Sequence, residues 1–65
     1  MDMAKRIRFV VELSGEEAWA LAQFLKRAGY DSYRCLAMDD EEGDKMRNAA
    51  VTVREVLAEA GCAPR

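Results

Sequence analysis

The chain has no histidine, one proline and two cysteines in 65 residues. Without histidine it can assemble no Ser-His-Asp triad, no Cys-His pair and no histidine-based metal site. Cys35 and Cys62 form no C-x-x-C pair and lack the further ligands of a zinc set. The sequence leaves a disulfide between them open, but with no export signal in view both are expected as buried free thiols. Long apolar runs are also missing, so no segment is expected to span a membrane, and no signal-peptide pattern opens the chain. The expected setting is therefore soluble and cytoplasmic. Paired catalytic carboxylates would need a pocket, and a chain this short has few apolar side chains to spare for one. No catalytic residue, cofactor or metal is expected, and the enzyme class is set aside.

What remains is the composition of a small folded domain. The apolar fraction is 51%, too high for a disordered chain. One domain fits residues 1–65 and a second does not. The net charge of −2 is unevenly spread. Between residues 31 and 44, Asp31, Asp39, Asp40, Glu41, Glu42 and Asp44 stand against Arg34 alone, a local −5.

The pattern along the chain predicts an α+β fold, mostly helical: one N-terminal strand followed by three helices. From Arg6 to Leu13, the residues Ile7, Phe9, Val11 and Leu13 alternate with Arg6, Arg8, Val10 and Glu12, the period of a half-buried strand. Ser14 followed by Glu17 reads as a capping box that starts a helix to about Ala28. Its inward stripe is Ala18, Leu21, Ala22, Leu25 and Ala28, with Phe24 at the margin and Trp19 off the stripe. Gly29 is expected as its left-handed end. Residues 32–38 read as a short helix or a second strand. The helix is preferred because β-branched residues are absent, with Asp31 as cap and Tyr33, Leu36 and Ala37 turned inward. Asp39, with Glu42 three residues on, caps a last helix from about Asp40 to Ala60. Its apolar face is Met46, Ala49, Ala50, Val53, Val56, Leu57 and Ala60. Gly61 and Pro64 end it. A lone strand cannot satisfy its own ladder, so it is either an edge covered by helices or paired with a copy of itself.

Two features could carry function. Asp39, Asp40, Glu41, Glu42 and Asp44 put five carboxylates in six positions, more than a helix start needs. Such a surface can meet lysines and arginines on a partner, taking the place of nucleic-acid phosphates. The calcium-loop spacing D-x-[DN]-x-[DN]-G is absent. Trp19 is a residue type enriched at binding hot spots, although in a chain this small it is expected under the strand or the last helix. Glu16 and Glu17 are outlying members of the acidic set. A rival class comes from the strand-helix-helix order. That is the order of ribbon-helix-helix DNA-binding dimers, which would use Arg6, Arg8 and Val10 to read bases. The net acidic charge speaks against it.

The stretch from Glu12 through Trp19 to Arg27, the pair Tyr33 and Arg34, and the ending from Leu57 to Arg65 resemble a family of small proteins found on proteobacterial chromosomes, plasmids and phages. The chain as a whole resembles the small anti-CRISPR proteins that act on type I systems, type I-C included. That resemblance implies a non-catalytic inhibitor that binds a Cascade effector and blocks target DNA. It implies a protein partner with a basic DNA-binding cleft, no direct contact with nucleic acid, and no membrane. The residues it would use are Asp39, Asp40, Glu41, Glu42 and Asp44, with Glu16, Glu17 and Trp19. A charge of −2 is modest for a DNA mimic, which leaves a steric mode through Trp19 as the other route.

Overall fold

The structure is a computed structural model that describes residues 5–64. Three helices follow one another: α1 from Gly15–Arg27, α2 from Tyr30–Leu36 and α3 from Asp40–Glu59. Among the described residues there is no strand, so the fold is all-α and not strand-plus-helices. Residues 6–13 keep their alternating pattern but make no ladder. The physical reason is that an antiparallel or parallel ladder needs a second strand, and the segment nearest to one became α2.

Local hydrogen-bond chemistry sets the helix starts. The Ser14 hydroxyl accepts from the Glu17 amide, and the Glu17 carboxylate accepts from the Ser14 amide, both at 3.0 Å. This is the expected capping box. It holds the Glu17 carboxyl below its ordinary range, through the Ser14 backbone bond first and the hydroxyl second. Only Ala28 and Gly29 separate α1 from α2. Gly29 is not left-handed, with φ of −100°; it is the N-cap of α2, two residues before the expected cap Asp31. At the other end of α3, the Gly61 amide donates to Ala58 O at 3.0 Å and the Cys62 amide to Leu57 O at 2.8 Å. With Gly61 at φ 97°, this is the Schellman ending.

Helices α1 and α2 each pack on α3. The result is a plate of 33 × 27 × 15 Å, and its thinnest dimension is little more than one helix diameter. Its radius of gyration, 13.0 Å, exceeds the roughly 11 Å expected for 65 compact residues. One layer of helices can bury only the strip where they touch. Ala22 is enclosed completely and Leu57 is 9% exposed; among the described residues no large side chain is fully buried.

This thinness redistributes several expected inward residues. The α1 stripe turns to α3, Ala22 most of all, with Ala18, Leu21, Leu25 and Ala28 half-buried. The α3 stripe divides. Gly43, Met46, Ala50 and Leu57 face the other helices, whereas Ala49, Val53, Val56 and Ala60 lie exposed. Leu36 is 80% exposed rather than inward, beside half-buried Tyr33 and Ala37. Cys35 and Cys62 are free thiols, but Cys35 is exposed and Cys62 half-buried. Each of these departures has one cause: there is no second layer to cover the far side of the plate.

Candidate functional site

The acidic run sits where α2 turns into α3, and the turn explains most of its charge. The Asp39 carboxylate accepts from the Glu42 amide at 2.8 Å and caps α3. The Glu42 carboxylate reaches back to the Met38 amide at 3.0 Å. Asp40 pairs with the Arg34 guanidinium, which also donates to the carbonyl of Ala37 at 3.2 Å. That clasp ties the end of α2 to the start of α3, and the Asp40 hydrogen bond holds the Arg34 charge more firmly than usual. Glu41 pairs with Lys45 one turn on, at 3.1 Å. Gly43 faces α2 where the two helices meet: a Cβ there would make ordinary contact with the Arg34 backbone at 3.5 Å.

Asp44 is different. It makes no ion pair with a described residue. It lies near enough to Tyr30 to act on the phenol, which desolvation first, then Asp44 and Asp40, push above its ordinary range. Four of the five clustered carboxylates therefore have work inside the fold, yet Asp40 and Glu41 keep most of their side chains in water. Glu16 and Glu17 stand at the start of α1, on a separate element, and Glu17 is engaged by Ser14. Among the described residues no three acidic or thiol side chains converge as a metal set.

Trp19 is not covered: it is 45% exposed on α1. It belongs to a broader uncovered surface that includes the arm of residues 6–13, where Phe9 is 74% and Val10 90% exposed. Sequence reasoning also passed over a shallow hollow of about 170 Å³ between α1, α2 and α3. Leu25, Tyr30, Tyr33, Arg47 and Arg54 line it. Its signal was available, since Arg47 and Arg54 are two helical turns apart with Val51 between them. A second hollow continues from Val51 and Arg54 to Cys62 and Pro64.

A family of unknown function, DUF7706, matches residues 1–65. The chain belongs to that family. The match spans the arm, the three helices and the acidic turn together. No curated protein and no solved structure matches the chain. Among the described residues no helix is long and apolar enough to cross a membrane.

Proposed function

We propose that this chain is a small non-catalytic interaction protein that acts by covering a surface on another macromolecule in the bacterial cytoplasm. The observation that carries this reading is the inversion of its apolar residues. Ala22 and Leu57 are enclosed, whereas Trp19 and Phe24 on α1 and Leu36 and Met38 at the end of α2 meet solvent. Isolated small domains seldom expose so much apolar surface without a partner for it.

The polar part of the docking surface is the start of α3. Its complement is a basic cleft of the kind that holds DNA, and the resemblance to type I anti-CRISPR proteins makes a Cascade effector the specific candidate. Supporting this are the local −5 over residues 31–44 and the exposure of Asp40, Glu41 and Asp44. Reversal of Glu41 and Asp44 to Lys tests it while leaving the Asp39 and Glu42 caps in place. The double variant should lose binding to the effector and release its DNA binding. Unchanged inhibition would remove the acidic surface from the mechanism.

The arm favours a second reading, a dimeric DNA-binding regulator of ribbon-helix-helix type, because Arg6 and Arg8 lie on a segment with no hydrogen-bond partner among the described residues. That reading requires direct binding to duplex DNA which weakens steeply with salt. A gel shift of the purified protein separates the two.

A further inference from the structure

The arm of residues 6–13 combines three properties that do not suit a free chain segment. Its apolar residues alternate strictly, its backbone makes no ladder, and Ile7, Phe9, Val10 and Val11 are all exposed. We propose that a second copy of this chain covers it. The two arms run antiparallel about Val10, and each supplies the strand the other lacks.

The pairing follows from the sequence itself. Centred on Val10, the rungs set Ile7 against Leu13 of the second copy and Phe9 against Val11 of the second copy. All four residues of one face are then matched with apolar residues. On the opposite face Val10 meets itself and Arg8 meets Glu12 of the second copy, once on each side of the two-fold axis. A slip of one residue would set Ile7 against Glu12 and mix the faces. A register centred on Phe9 puts Leu13 opposite Lys5, and one centred on Val11 carries Ile7 past the end of the arm to Gly15. The Phe9 centre also pairs Arg6 with Glu12, but only the Val10 centre matches all four apolar residues of one face while pairing Arg8 with Glu12; Arg6 then stands opposite Ser14.

The area agrees. A compact monomer of 7.3 kDa exposes roughly 4,200 Å², whereas this chain exposes 5806 Å². The excess of about 1,600 Å² is about twice what each partner contributes to a stable interface of ordinary size. The exposed stripe of α3, with Val53 and Val56, is a second apolar surface for the ribbon's inner face to lie on. The dimer supplies the missing layer of the plate, whichever macromolecule the protein then binds.

The test uses the full chain in sedimentation equilibrium. The wild type should have twice the monomer mass at micromolar concentration. Arg8→Glu and Glu12→Arg, which place like charges opposite each other, should each weaken self-association about tenfold. Mixing the two variants should restore association, because each charged rung of the mixed dimer then sets one carboxylate against one guanidinium. R8E/E12R in one chain should recover it too. A wild type that stays monomeric overturns the proposal. So does a pair of single variants that associate as the wild type does, or that fail to recover on mixing. Stable capture of a different protein or of DNA by a monomer would assign the arm to that partner and likewise overturn it.

Discussion

The α2–α3 turn and the N-terminal arm are the two most strongly patterned parts of the chain, and they end differently. At the turn, Asp39, Glu42, Asp40 and Arg34 each find a partner within six residues, and the pattern completes itself. In the arm, the alternation of Ile7, Phe9, Val11 and Leu13 is just as clear, yet no hydrogen bond among the described residues answers it. A cap is a contract between near neighbours. A strand is half of one, and its other half must come from elsewhere. The same comparison separates two kinds of charge. The carboxylates of the turn shape the helix start first and can face a partner second, whereas Arg8 and Glu12 have no structural use until another arm arrives.

The sharpest way to break this contrast is to remove the apolar side of the arm. Phe9→Ala should weaken self-association at least about a hundredfold, since two rings are lost per dimer at about 2 kcal/mol each. Helix content at high concentration should survive. Sedimentation equilibrium reads the first and circular dichroism the second. Equal association of variant and wild type would place the interface away from the arm.

Effects at the turn should be smaller and should not depend on association. Asp39→Ala removes the α3 cap and should cost about 1 kcal/mol in urea unfolding at fixed protein concentration. Ser14→Ala should do the same for α1, through the capping box. Gly43→Ala should go the other way. A Cβ there meets Arg34 at 3.5 Å and Ala37 at 3.8 Å, ordinary contacts. The gain in helix propensity should raise stability by roughly 0.5–1 kcal/mol. A loss would show that α2 and α3 need closer contact than these distances imply.

The smallest effect is electrostatic. Glu17 has a carboxyl held below its ordinary range in the folded chain by Ser14. Its contribution is therefore complete above the ordinary carboxylate range and is lost as pH falls through the lowered folded value. Acid titration of helicity should show this loss in the wild type. Ser14→Ala should remove that part of the pH dependence, and an identical titration would disconnect Glu17 from the cap.

What was legible in the sequence divides along the same line. The Ser14–Glu17 box, the Asp39 cap and the Gly61 ending could all be read, because each needs only residues a turn apart. Glu41 and Lys45 were readable on the same ground. The pairing of Asp40 with Arg34 was not, since it depends on how α2 meets α3. Burial was the least legible. The apolar periods of α3 mark a face that is wider than the contact α1 and α2 provide, so Val53 and Val56 stay out while Leu57 goes in. The arm shows this most plainly: its period predicts a half-buried strand, yet the segment forms no strand and all of it is exposed, because no period says which molecule would cover it. The gathering of the acidic residues at one helix start was legible from their spacing, but their sharing between structure and surface required the hydrogen bonds.

Amide exchange along residues 6–13, followed at two protein concentrations, addresses the arm most directly. Hydrogen-bonded rungs alternate with unbonded ones in an antiparallel pair. Paired arms should therefore protect every second amide, and the protection should rise with concentration. Exchange of all these amides at free-chain rates at both concentrations would contradict a second copy on the arm.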